Sequence, residues 1–173
     1  MNNLFRIYSP ANFNSIYMKI EIGQTAPDFT LYDSEKNKVT LSHLKGHNVL
    51  LLFFPLAFTS TCTAELCAIR DNISFYNTVN AKVFGISVDS LHSLAKFKAE
   101  QNLNFSLLSD FNKDVSSLYG SLYEMFGYNM KGVSKRSAFV IDKNGIVRYA
   151  EVLENASEQP NFKNITLTFE ELN

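Results

Sequence analysis

An α/β fold, with a central mixed β-sheet flanked by helices and opened by an N-terminal β-hairpin, is what this 173-residue sequence predicts. Three observations predict it. Residues 48–54, "NVLLLFF", are an apolar run, unbroken after Asn48, of the kind that suits a central strand covered on both faces. After that run, extended segments alternate with segments whose apolar residues recur every three or four positions. Near the end, Asn144-Gly145 sits between two apolar runs, the pattern of a tight hairpin. The length is that of one domain, and 46% hydrophobic residues with 15 Phe supply a sizeable, bulky core.

In chain order, residues 1–17 read as a disordered extension. They lack acidic residues and the continuous apolar core of a secretory signal; a mitochondrial-type leader is the alternative, on the strength of one Arg. The domain is expected over 18–173. "DFTLYDSEKNKVTLSHL" reads as two short strands around a polar turn, with Phe29 and Leu31 on one side and Val39 and Leu41 on the other. Pro55 ends the apolar run, because proline donates nothing to a sheet ladder. From Thr61 the period becomes helical, with Leu66, Ile69, Ile73, Tyr76 and Val79 on one face. Val83, Phe84 and Ile86 mark the next strand. "SLHSLAKFKAEQN" is an amphipathic helix capped by Asp89 or Ser90, with Leu94 and Phe97 facing inward. "FSLLSD" is a short strand, and "NKDVSSLYGSLYEMFGY" a helix that breaks near Gly120. "SAFVID" and "IVRYAEV" pair as a hairpin, with positive φ expected at both Asn144 and Gly145. "QPNFKNITLTFEEL" closes the chain as a helix, with Phe162, Ile165, Phe169 and Leu172 on one face and Pro160 in its first turn. This order of elements is that of a thioredoxin-like sheet.

Composition excludes several classes of function. A net charge of −1 gives no general attraction to nucleic acid or anionic membrane. No apolar run approaches the roughly 18 residues of a membrane helix. Two cysteines are too few for the disulfide framework of a small secreted domain, and a cytoplasmic protein is expected. His43, His47 and His92 lie far from both cysteines in sequence, and no spacing resembles a zinc site.

Both cysteines fall in one stretch, "FFPLAFTSTCTAELCAIRD". Cys62 stands where the central strand hands over to the first long helix. Backbone N–H groups in the opening turn of a helix are unpaired, and with the helix dipole they favour an anion. A thiolate is favoured in such a place, which makes Cys62 a candidate nucleophile; a buried structural cysteine is the alternative. Thr59, three residues upstream, can turn its hydroxyl toward the sulfur or a bound oxygen, or simply cap the helix. Pro55 can close the site against water or simply end the strand. The joint spacing Pro-x-x-x-Thr-x-x-Cys at a strand-to-helix join is more specific than any of its parts.

That spacing resembles the active-site pattern of the peroxiredoxins, carried here by Pro55, Thr59 and Cys62. The resemblance runs from about Met18 to the end, through "GQTAPDFTL", "IRD", "LLSDF" and "RSAFVID". "FFPLAFT" with Cys-x-x-Glu-Leu is similar to the alkyl hydroperoxide reductase E group. A second thiol five residues on, Cys67, is placed as in the bacterioferritin comigratory (Q-type) group. The resemblance implies a thiol-dependent peroxidase in which Cys62 attacks a peroxide oxygen and becomes a sulfenic acid. It also implies a role for Arg136, before "SAFVID", as a guanidinium folded over the sulfur; a surface Arg at a strand start is the alternative. Arg70 reads as a partner of Asp71 or Asp110, and Arg148 as solvent-facing. Glu65, one turn after Cys62, reads as a first-turn acid that complements the helix dipole and stays outside the site.

Ionisation alone does not explain fast attack. For a thiol whose pKa falls from about 8.5 to about 6, thiolate at neutral pH rises roughly thirtyfold. Its nucleophilicity falls about tenfold over the same change. Stabilising charge on the leaving oxygen must therefore matter more, through Arg136, Thr59 and the helix-start N–H groups. Cys67 poses a separate problem, because five residues of helix put the two Cα atoms roughly 8.5 Å apart, beyond the roughly 7 Å limit of a disulfide. Either residues near 60–68 unwind so that Cys67 resolves Cys62, or Cys67 is a core residue and an external thiol resolves it. No haem, flavin or metal motif is present, so no cofactor is implied beyond a thiol reductant such as thioredoxin or glutaredoxin. A homodimer is compatible with the resemblance. A redox sensor, or a thiol–disulfide oxidoreductase on the same fold, is the competing function; the latter would want Cys-x-x-Cys.

Overall fold

The computed structural model describes residues 19–172, so the amino-terminal extension expected at 1–17 lies outside the described residues. Strands β1 (Thr30–Asp33) and β2 (Lys38–Thr40) form the opening hairpin. Leu41 does not extend β2; it starts a short 3-10 turn (Leu41–Leu44) that drops its side chain into the core. There follow β3 (Asn48–Phe53), α1 (Ser60–Asp71), α2 (Ile73–Thr78), β4 (Ala81–Ser87), α3 (Leu91–Glu100), β5 (Ser106–Ser109) and α4 (Asp114–Leu118). The chain closes with β6 (Leu122–Tyr123), β7 (Val133–Ser134), β8 (Ser137–Ile141), β9 (Val147–Val152) and α5 (Phe162–Glu171).

Seven strands make one mixed sheet in the order β2-β1-β5-β4-β3-β8-β9. The three central strands, β3, β4 and β5, run parallel, and the outer pairings are antiparallel. Every residue of β3 is buried, as the apolar run predicts for a strand covered twice. Successive side chains alternate between the faces. Leu50 and Leu52 join Leu66, Ile69, Leu94, Phe97, Ile165 and Phe169 under α1, α3 and α5. Val49, Leu51 and Phe53 join Phe29, Val115, Tyr119 and Phe139 on the opposite face.

Four expectations are corrected locally. The helical stretch from Thr61 to Val79 is two helices, broken at Asn72, and the side-chain amide of Asn104 takes the Arg70 carbonyl at 3.1 Å near the break. The helix expected to break near Gly120 does stop there, at Leu118, but it does not resume beyond the break. Gly120, with φ +62°, lets Ser121 N–H reach the Ser116 carbonyl at 2.7 Å and its own N–H reach Ser117 at 3.1 Å, a Schellman stop. The chain beyond it forms the small β6–β7 hairpin. In the β8–β9 turn only Gly145 has positive φ. The Asp142 carboxylate accepts the N–H groups of Asn144 and Ile146 at 2.9 and 3.0 Å, which holds a longer turn with Asn144 in an ordinary conformation. Pro160 lies before the cap of α5, Asn161, whose side chain accepts from Asn164 N–H.

Gly85, in the middle of β4, marks a close approach. A Cβ built there would stand 2.7 Å from Leu107 Cδ2 and 3.3 Å from Phe54 Cε1. Gly85→Ala is expected to destabilise the fold by about 1–3 kcal/mol through overpacking. The midpoint of urea unfolding measures this, and an unshifted midpoint contradicts it.

Candidate functional site

The site is built at the carboxyl end of β3. Phe54 N–H still bonds to the Ile86 carbonyl at 2.9 Å, and the ladder stops at the buried Pro55. The connection to α1 is held from outside by Asp89, whose Oδ2 accepts Ala57 N–H and Ser87 Oγ–H, both at 2.8 Å. Phe58, at φ +66°, turns its ring edge onto Phe97 with centroids 5.0 Å apart. This braced loop aims α1 back across the sheet.

Thr59 is the residue before α1, in extended conformation, but its hydroxyl does not cap the helix. It donates to the Leu56 carbonyl at 3.0 Å, while the Thr59 carbonyl accepts from Thr63 N–H at 2.9 Å. Cys62 is the third residue of the helix, in the turn whose N–H groups have no helical partner. It is 1% exposed and packs within the apolar cluster under α1. Apolar walls and one cation therefore form its surroundings.

That cation is Arg136. The antiparallel pairing of β3 with β8 sets Phe53 opposite Ser137, so the residue before Ser137 emerges level with the exit of β3. Arg136 is 1% exposed, and each of its nitrogens has a partner. Nη2 reaches Cys62 Sγ at 3.3 Å, and Nη1 donates to Glu65 Oε2. Nε and Nη2 both donate to the Ala156 carbonyl, at 3.2 and 2.9 Å. Burial alone would weaken the hold of Arg136 on its proton. The charges of Glu65 and the Cys62 sulfur outweigh that effect and raise its pKa.

Glu65 belongs to this centre, against the expectation that it merely complements the helix dipole. It is fully buried, and its second oxygen, Oε1, has no hydrogen-bond partner among the described residues. Burial pushes its carboxyl up to about 7, against the pull of Arg136. A signal was available. Residues 62, 65, 66 and 69 follow the spacing of one helical face, and they are the buried residues of α1. An acid on an otherwise apolar stripe needs a buried cation. No local pattern announces the Ala156 carbonyl, which arrives on the loop after β9.

Cys67 is not brought to Cys62. Both are free thiols on the intact α1, and Cys67 is half-buried with its sulfur 3.9 Å from Gln101 Oε1. Of the acids expected for Arg70, Asp71 is its partner at 2.8 Å, while Asp110 instead accepts the N–H groups of Val115 and Ser116. Arg148 is 43% exposed and pairs with Asp142.

Residues 22–150 match the AhpC/TSA family model. The chain is 39% identical over 140 residues to the chloroplastic peroxiredoxin Q of Sedum lineare, covering 81% of this chain and 73% of that one. It is equally 39% identical over 136 residues to alkyl hydroperoxide reductase E of Mycobacterium tuberculosis, covering 77% and 86%. Among solved structures it is similar to peroxidoxin BcpB of Mycobacterium tuberculosis, with a TM-score of 0.79, 29% identity and coverage of 89% and 99%. It is also similar to the reduced 2-Cys peroxiredoxin of Plasmodium vivax, with a TM-score of 0.75, 30% identity and coverage of 86% and 80%. Among the described residues no helix is long and apolar enough to cross a membrane.

The raised carboxyl of Glu65 has a consequence for stability. The folded chain keeps this proton to higher pH than the unfolded chain, whose carboxyl has its ordinary value of 4.5. The stability it contributes is whole below that value and is lost as pH rises through about 7. The urea midpoint of the wild type, relative to Glu65→Gln, should therefore fall across that window. Parallel midpoints would show that the carboxyl does not titrate there.

Proposed function

The chain belongs to the AhpC/TSA family and is a thiol-dependent peroxidase, and on that premise we propose that Cys62 is the peroxidatic sulfur. Its thiolate attacks one oxygen of hydrogen peroxide or an organic hydroperoxide. The S–O bond forms as the O–O bond breaks, the departing hydroxide or alkoxide takes up the proton that the thiol gave up on ionising and leaves as water or an alcohol, and Cys62 becomes a sulfenic acid. The observation that carries this reading is the 3.3 Å contact between Arg136 Nη2 and Cys62 Sγ, with both residues 1% exposed. A guanidinium in that place stabilises a thiolate before the reaction and charge on the leaving oxygen during it. In a site with little water, both effects exceed what they would be in solution.

Thr59 and Pro55 complete the site. The Thr59 hydroxyl spends its proton on the Leu56 carbonyl, which leaves its oxygen free to accept from a peroxide O–H. Pro55 walls the site with a residue that has no backbone N–H to compete for the substrate. Glu65 acts through Arg136, holding Nη1 while the neighbouring Nη2 reaches the sulfur. Cys67 is the resolving thiol, reached when the first turns of α1 unwind, and the resulting disulfide is reduced by thioredoxin or glutaredoxin. We place this activity in the cytoplasm, where such reductants keep thiols reduced. Phe58, 52% exposed on the loop leading to Cys62, offers an apolar surface for a second copy, and a homodimer is the assembly we propose.

Peroxide consumption with thioredoxin as reductant tests the assignment. Cys62→Ser is expected to abolish it, whereas Cys67→Ser keeps the first turnover and stalls afterwards. Mass spectrometry after one equivalent of peroxide should find a Cys62–Cys67 disulfide; a persistent sulfenic acid in the wild type would make an external thiol the resolving one. Arg136→Ala should lose about 10²–10³ in the rate of the peroxide step, as for removal of an oxyanion donor. A loss no larger than the fall in thiolate, read from the pH dependence of Cys62 alkylation, would leave the guanidinium no role beyond ionisation.

A further inference from the structure

Helix α1 is fastened to the rest of the chain at two separate places. Its first half is held by Arg136, through Cys62 and Glu65. Between Thr59 and Ala64 only Cys62 is buried. The second half is held by the carboxyl end of α3 and the loop after it. Arg70 Nη1 donates to the Gln101 carbonyl at 2.6 Å, and Arg70 Nε pairs with Asp71 at 2.8 Å. Asn104 Nδ2 donates to the Arg70 carbonyl at 3.1 Å, and the Cys67 sulfur lies 3.9 Å from Gln101 Oε1. Leu66 and Ile69 are buried beneath the same half. The positive charge of Arg70 also lies within electrostatic reach of the Cys67 sulfur.

We propose that Arg70 is a positioning residue for resolution: by tying the last turn of α1 to the Gln101 carbonyl it holds Cys67 in place, so that Cys62 is the sulfur that travels. The inference rests on the reading that Cys67 resolves Cys62. In that step the Cys67 thiol gives up its proton and its sulfur attacks the Cys62 sulfur. The S–S bond forms, the S–O bond breaks, and the departing hydroxide takes up the proton as water. Cys67 is oxidised, the sulfenic sulfur is reduced, and no further oxidant is needed.

The two Cα atoms must close from roughly 8.5 Å to below roughly 7 Å, so one half of α1 has to move. The fastenings decide which. An added oxygen on Cys62 disturbs the only buried side chain of residues 59–64. The second half keeps its hydrogen bonds to α3 and its apolar seat. A target held in place raises the effective concentration at which the moving sulfur meets it.

The test follows the reduced full chain after one equivalent of hydrogen peroxide, with timed quenching by a thiol alkylator and a 1,3-dicarbonyl trap for sulfenic acid, read by mass spectrometry. In Arg70→Met the sulfenic acid should appear at the wild-type rate, which also reports that the site is folded. Closure of the disulfide should slow about tenfold, the loss of one charge-assisted hydrogen bond. Should Arg70→Met not fold, Arg70→Lys carries the test. It keeps the charge but cannot grip Asp71 and the Gln101 carbonyl together, and slower closure is again expected. Faster closure would mean that Arg70 only stiffens the helix, and that result, like unchanged closure, overturns the proposal. A wild-type chain that forms no internal disulfide overturns the reading beneath it as well, and is told apart by that absence.

Discussion

One buried guanidinium organises this site. Arg136 lies under the surface with Glu65, Cys62 and the Ala156 carbonyl around it. Taking such a charge out of water costs several kcal/mol unless its donors are met. Here two segments meet the donors of an arginine carried at the start of β8: α1 brings the acid and the sulfur, and the loop after β9 brings the carbonyl. Each partner has a structural reason to stay, so the cation is already in position before any substrate arrives. An arginine that had to fold over from solvent would lose side-chain entropy on each turnover.

The sheet makes this placement possible. β3 is buried on both faces and paired on both edges, so its end is among the least movable points of the chain. The pairing of Phe53 with Ser137 brings Arg136 to that end, and a one-residue slip would send its side chain to the other face of the sheet. The loop from Pro55 to Thr59 then turns the chain, with Asp89 holding its backbone, so that α1 starts beside the arginine.

The proposed chemistry makes two opposed demands on the same helix. Its opening turn supplies unpaired N–H groups and a favourable dipole to Cys62, which requires the helix to be formed. Its regular rise keeps Cys67 out of bonding range, so an internal disulfide requires the helix to be undone. A helix anchored unevenly along its length meets both needs. The exposed first turn is held through Cys62 and Glu65, and the later turns are seated on α3 and the core.

The strand and helix periods were legible because they depend on burial repeated along the chain. The run at 48–54, the stripe through Leu66 and Ile69, and the inward Leu94 and Phe97 all declare a face. Stops set by backbone bonding were less legible. Gly120 is visible as a breaker, but the Schellman bonds that end α4 at once are not. Asn144-Gly145 suggests a two-residue turn until the Asp142 carboxylate is known to hold a longer one. Pro55, Thr59 and Cys62 form a local pattern that can be read in order along the chain. Glu65 lies on the buried stripe of its helix, but its partner is 71 residues away, so its place along the chain suggests only a first-turn acid that complements the dipole. The sequence by itself determined the strands of the main sheet, the principal helical stretches and which cysteine begins a helix, though not the α1–α2 break or the β6–β7 hairpin, since periods along the chain follow from neighbours. Only the tertiary structure decided that Arg136 and Glu65 share that cysteine's pocket and that Arg70 ties its helix to α3, because burial and charge pairing act between atoms that are close in space whatever their distance in sequence.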